Sequence, residues 1–175
     1  MTIMTHHAFV PVVLIAIGLA ACVTDVRTRR IPNALTLSAA LAGFLVQTVS
    51  GGLDGALAAS GGWLVGTLLF LPFFLLGGMG GGDVKLLAAL GAWLGPRDTL
   101  WLAVYASIAG GVLGVVVAIA RGYLTTAIRN VFAMLAYWRT VGIRPVPDLT
   151  LESPAAPRLA YAIPILAGTV ITLWL

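Results

Sequence analysis

The chain has 175 residues, of which 60% are apolar and only 9% charged, with a net charge of +4. A water-soluble domain carries roughly 25% charged residues, and so few charges cannot cover the surface of a folded chain this size in water. The composition therefore excludes a soluble domain and places the chain among membrane lipids. The single Cys22 excludes a disulfide framework, a zinc knuckle and a CxxC redox pair. The arginines stand singly between apolar runs, with no basic helix and no aromatic platform, so no nucleic-acid partner is expected.

A spanning helix needs about 20 mostly apolar residues. In chain order the candidate spans are Ala8–Val23, Ala34–Val49, Ala56–Leu76, Thr99–Ala120 and Arg158–Leu175. Val84–Leu94 is apolar but about half the required length, either a short span or a re-entrant segment, and is counted here as a span. The expected fold is all-α: about six transmembrane helices in a single membrane-embedded domain, residues 1–175. Residues 121–157 form its cytoplasmic loop. Within that loop Tyr123–Trp138 reads as an interfacial amphipathic helix, and Pro145, Pro147, Pro154 and Pro157 make the remainder irregular. No internal repeat supports an inverted-repeat transporter.

The basic residues orient these spans. With the N-terminus outside, Arg27, Arg29, Arg30, Lys85, Arg121, Arg129, Arg139, Arg144 and Arg158 are cytoplasmic, and Arg97 alone is external. Trp63, Trp93, Trp101 and Trp174 then fall near the external interface. Leu19-Ala20-Ala21-Cys22 is similar to a lipoprotein cleavage box. The leading segment offers only His6 and His7, an idle terminus without a basic region, so an anchor is preferred.

The six acidic residues locate the chemistry. Asp54 and Asp98 sit beside Gly55 and Pro96 in short external turns, and Asp148 and Glu152 lie in the proline-rich loop. Asp25 and Asp83 remain, both at cytoplasmic helix ends, where an ionisable group near membrane depth is costly unless it is used. Two neighbouring carboxyls share a proton, as in aspartic proteases. Asp25 closes a helix and Asp83 opens one, so the dipoles favour Asp83 as ionised base and Asp25 as protonated acid. The run Gly77-Gly78-Met79-Gly80-Gly81-Gly82-Asp83 sacrifices helix propensity, which suits close approach by an extended peptide.

Asp25-Val26-Arg27-Thr28-Arg29-Arg30-Ile31-Pro32-Asn33, followed by Gly80-Gly81-Gly82-Asp83-Val84-Lys85, resembles the motif pair of the type IV prepilin peptidases. These are GxGD-type intramembrane aspartic endopeptidases. The resemblance implies that Asp25 and Asp83 are the catalytic dyad, that no cofactor or metal is needed, and that the partner is a prepilin. The leader would be cut on the cytoplasmic side of the inner membrane, after a short basic leader. Long members carry an added CxxC domain and methylate the new N-terminus. This chain lacks those cysteines, so it is similar to the short form serving tight-adherence (Flp-type) pili. Tyr161-Ala162-Ile163-Pro164 approximates a Pro-aromatic motif of the family, with Ala160 where proline is usual and Pro164 expected to kink the last helix.

Gly80 and Gly82 belong to the expected substrate loop. Arg27 is a candidate carboxylate partner, and Lys85 either tunes Asp83 or snorkels to the interface. Pro32-Asn33 is expected to start helix 2 with Asn33 as N-cap, substrate contact being the alternative. Arg29 and Arg30 read as topology anchors. Gly62–Gly66 and Gly110–Gly114 fit close helix contact, and Pro72 is expected to bend its helix. The rival functions are a small transporter, which would need carboxylates toward the midplane, and a non-catalytic assembly subunit, which would tolerate Asp→Asn changes.

Overall fold

The computed structural model describes residues 9–146, 149 and 159–175. His6, His7, Pro147, Asp148, Glu152, Pro154, Pro157 and Arg158 lie outside the described residues. Among the described residues the regular structure is helical, with no strand: α1 (Phe9–Thr28), α2 (Asn33–Leu75), α3 (Gly81–Ala120), α4 (Leu124–Val141) and α5 (Ala162–Trp174). The first three are long and apolar enough to cross a membrane. Leucines, valines and phenylalanines remain exposed along α1, α2 and α3. In water such a surface would be an aggregation liability, and in hydrocarbon it is the ordinary solvent-facing side.

Two of the long helices fold back on themselves. Gly52 (φ +58) interrupts α2 and Gly95 (φ +78) interrupts α3, both in the left-handed region that glycine enters without a Cβ clash. In a straight helix eight residues span about 12 Å. Yet a Cβ on Gly55 would touch the carbonyl of Gln47, and Thr99 Oγ1 donates to the Gly91 carbonyl at 3.4 Å. Each helix is therefore a hairpin of two limbs, 33–51 with 53–75 and 81–94 with 96–120. Asp54 and Asp98 fall just beyond these turns.

The limb 81–94 is the core of the bundle. From Asp83 to Gly95 every residue except Lys85 is buried. This explains the short apolar stretch Val84–Leu94: it packs against protein all round rather than facing lipid. Glycines set its distance from the rest of α2. Gly62 lies against the Gly91 backbone, and a Cβ on Gly66 would come within 2.8 Å of the Leu87 carbonyl. The expected small-residue contact is thus present at 62 and 66. Gly110 instead accommodates the ring of Tyr161 on α5.

Three local expectations are corrected. Trp93 is not an interfacial belt residue: it is 6% exposed, donates from Nε1 to the Ala39 carbonyl at 2.7 Å, and fills the space left by Gly43. Gln47 answers by donating Nε2–H to the Trp93 carbonyl at 2.7 Å. That carbonyl sits at the turn where Gly95 and Pro96 break the helical ladder, and a buried orphan there would be costly. Asn33 is not the cap of α2. Pro32 takes that position in extended conformation without a side-chain cap, and Asn33 Oδ1 accepts instead from Lys85 Nζ at 2.9 Å. Pro164 does not kink α5, because it lies in the first turn, where a missing N–H costs nothing.

Candidate active site

α1 runs past the end of its apolar stretch, so Asp25 lies in its final turns and is 8% exposed. Thr28 ends the helix. Arg29 follows at φ +54, a left-handed position that usually takes glycine, with its N–H on the Asp25 carbonyl at 2.9 Å. This bend swings Arg30, Ile31 and Pro32 across the mouth of the bundle. At the opposite wall, α2 closes through Gly77 (φ +74) and Gly78, whose N–H groups bond to Phe74 and Phe73 carbonyls. The glycine run then opens α3.

Gly80 is the N-cap of α3, and Asp83 is the third residue of its first turn. Asp83 accepts a backbone hydrogen bond from Gly80, the reach-back half of a capping box. Gly80 also leaves space for that carboxylate, since a Cβ there would lie 3.0 Å from Asp83 Oδ2. Gly82 lets Ile31 settle against the loop, because a Cβ on it would be 3.1 Å from that side chain. The glycines thus bring the two aspartate-bearing segments together.

Between the segments lies a cavity of about 420 Å³ lined by Asp25, Asp83, Gly80–Gly82 and residues 29–33. The two carboxyls are near enough for the charge on Asp25 to act on Asp83. Asp25 Oδ2 in turn accepts the backbone N–H of Ala162, at the start of α5, at 3.3 Å. That contact offsets the unfavourable end of α1 with the favourable end of another helix. The division of roles drawn from single helix ends therefore loses its basis: each carboxylate has a backbone donor and a helix N-terminus.

The remaining expected residues divide by position. Gly80, Gly82, Pro32 and Asn33 line the cavity, whereas Arg27 sits exposed in the last turn of α1 outside the lining. Lys85 is exposed and bonds Asn33, tying the start of α3 to the start of α2. Arg29 and Arg30, read from sequence as anchors, form part of the cavity wall. Ala162 lies in the Tyr161–Pro164 segment noted in the sequence, but its own contribution, a backbone N–H on Asp25, has no residue signature.

The sequence model of the type IV leader peptidase family matches residues 12–115, which include both aspartate segments. Among curated proteins, the prepilin leader peptidase/N-methyltransferase of Aeromonas salmonicida (strain A449) is 35% identical over 105 residues, covering 57% of this chain and 36% of the relative. That of Burkholderia pseudomallei (strain K96243) is 37% identical over 109 residues, covering 59% and 35%. That of Neisseria gonorrhoeae is 36% identical over 105 residues, covering 56% and 36%. The match thus spans about a third of the length of these relatives. No solved structure matches the chain. With more than half of its length matched, including the two segments that build the cavity, the chain belongs to the type IV leader peptidase family.

Proposed function

We propose that the chain is an aspartic endopeptidase of the GxGD type that removes the leader peptide from prepilins, using Asp25 and Asp83 as a dyad. The observation that carries this reading is the shared cavity. Two buried carboxyls from distant parts of the sequence face one space, walled by a glycine run that lets an extended backbone approach. The relatives are named for prepilin leader cleavage, and the site's chemistry fits that half of their name.

In this mechanism the pair holds one proton between its two carboxyls. The ionised member takes a proton from water as the oxygen attacks the scissile carbonyl. The protonated member donates to the carbonyl oxygen. Collapse of the tetrahedral intermediate breaks the C–N bond, and the amine leaves with a proton from the dyad. The products are the free leader and the pilin with a new N-terminus. The substrate class is the Flp-type prepilin.

The membrane arrangement consistent with this chemistry has six passages: α1, the two limbs of α2, the two limbs of α3, and α5. The limb 81–94 and the 13-residue α5 are about 20 Å long, shorter than a ~30 Å hydrocarbon core. Burial inside the bundle spares the first of these from matching lipid thickness. α4 carries Ile128, Val131, Phe132 and Leu135 on one exposed side and Arg129 on the other, which suits a helix lying on the interface. Residues 1–175 form one membrane-embedded domain, with 121–157 as its cytoplasmic loop. The N-terminus is outside, and the cavity opens to the cytoplasm at the inner membrane.

The test is co-expression of the chain with a Flp-type prepilin and mass analysis of the pilin N-terminus. Appearance of a shortened pilin with a defined new N-terminus supports the reading, and an intact precursor across a panel of prepilins refutes it. Maleimide labelling of single cysteines at positions 81 and 98 from either side of the membrane tests the orientation independently.

A further inference from the structure

The first backbone amide of α5 is committed to a side chain 137 positions earlier, the Asp25 carboxyl. At 3.3 Å this bond is at the long limit for N–H···O geometry, so a displacement of a few tenths of an ångström breaks it. The residue before this amide is packed on several sides. Tyr161 stands at the N-cap position of α5 without a side-chain cap bond, and its hydroxyl lies close enough to the Ser107 side chain to interact with it. Ser107 is itself anchored, donating to the Ala103 carbonyl at 2.7 Å.

The ring is fixed on two further sides. Phe70 of α2 meets it edge-on with centroids 5.9 Å apart. Gly110 of α3 clears the space it occupies: a Cβ there would stand 2.5 Å from the hydroxyl oxygen and 2.7 Å from the ring. Behind it, Gly168 brings α5 against the backbone of Leu102 and Ala106. Neither Tyr161 nor Ala162 lines the cavity; the Ala162 N–H reaches Asp25, and the Tyr161 hydroxyl is near enough to Asp83 for that charge to act on it.

We propose that Tyr161 is a positioning residue for Asp25: held by Ser107, Phe70 and Gly110, it keeps the Ala162 N–H on the Asp25 carboxylate and so sets the geometry of the carboxyl pair. The inference rests on the peptidase reading above. It assigns Tyr161 no contact with substrate, so its effect falls on turnover and not on substrate affinity.

The experiment uses the purified full chain in detergent and a synthetic peptide spanning the cleavage site of a Flp-type prepilin. Replacing Ala162 by lactic acid through nonsense suppression (Ala162→lactate) turns the amide into an ester, which deletes the N–H and weakens the Tyr161 carbonyl that accepts from Ile165; Ile165→α-hydroxy acid, which removes that second bond alone, is the control. A hydrogen bond to a charged group of this kind predicts a fall in kcat of about tenfold to a hundredfold, with KM changed less than about twofold. Tyr161→Phe, which keeps the ring and loses the tether to Ser107, lowers kcat about fivefold with the same unchanged KM. In the ester background Tyr161→Phe adds less than about twofold, because the bond it protects is already gone.

Wild-type kcat in the ester variant overturns the proposal, and so does an undiminished Tyr161→Phe effect in that background. Unfolding midpoints within a few degrees of wild type for both variants separate positioning from loss of fold. A wild-type chain that cuts no prepilin peptide removes the peptidase reading and this inference with it. Cleavage that depends on Asp25 but ignores the ester refutes the positioning role alone.

Discussion

Replacing Gly62 by alanine adds one methyl group at a tight backbone contact between α2 and the limb 81–94, toward its Gly95 end. The new Cβ would overlap the Gly91 carbonyl oxygen and lie 2.8 Å from its carbon and 2.9 Å from the Gly95 carbonyl carbon. Carbon atoms rest about 3.5 to 4.0 Å apart, so the two limbs must separate by roughly 0.7 Å or more. All these neighbours are backbone, so no side chain can rotate out of the way. A gap of that size forfeits about a quarter to a half of the dispersion attraction at each affected contact. The expected destabilisation is at the upper end of the overpacking range, about 3 kcal/mol, less up to about 1 kcal/mol regained from alanine's helix propensity. The displaced limb carries Asp83 at its start, and a shift near 1 Å can cost about a hundredfold in rate. Denaturant unfolding in mixed micelles measures the first effect, and prepilin-peptide turnover the second. Gly51→Ala is the control: nothing lies within 4 Å of its Cβ, so it should match wild type or gain up to about 1 kcal/mol. If Gly62→Ala unfolds like Gly51→Ala, the hairpin packing described here is wrong.

Further outcomes follow from single contacts. Gln47→Leu leaves the buried Trp93 carbonyl without its 2.7 Å donor and should cost about 1 to 3 kcal/mol in the same unfolding assay; an unchanged midpoint contradicts the latch. Lys85→Gln removes an exposed bond to Asn33 and should lower kcat less than about fivefold, whereas a loss beyond about a hundredfold would mean that Lys85 acts on Asp83 directly. Gly77→Ala forces a Cβ into φ +74 and should destabilise the chain by about 1 kcal/mol, read by thermal unfolding against Gly111→Ala, whose Cβ would meet nothing within 4 Å.

Asp25 and Asp83 were legible in the sequence because a carboxylate beside an apolar run has no inexpensive place to go, so its position alone carries information. The turns were legible from Asp54 beside Gly55 and Asp98 beside Pro96, turn formers between apolar runs, although the residues that break the helices are Gly52 and Gly95. What escaped was set by groups without a local signature. Ala162 contributes an amide that every residue but proline possesses. The pairing of Gln47 with Trp93 joins positions 46 apart and answers a break in another helix. Asn33 has the local preference of a cap, yet Lys85, 52 positions later, claims its side chain. Reading helix ends one at a time also misjudged Asp25, because the compensating N-terminus belongs to α5.

The central claim is that Asp25 and Asp83 together cut a prepilin. Cleavage by wild type, Asp25→Asn and Asp83→Asn at matched membrane levels tests it most directly, with Asp54→Asn and Asp98→Asn at the far-side turns as controls. The dyad predicts no mature pilin with either test variant and normal processing with both controls. Continued cleavage by either Asp25→Asn or Asp83→Asn would contradict it.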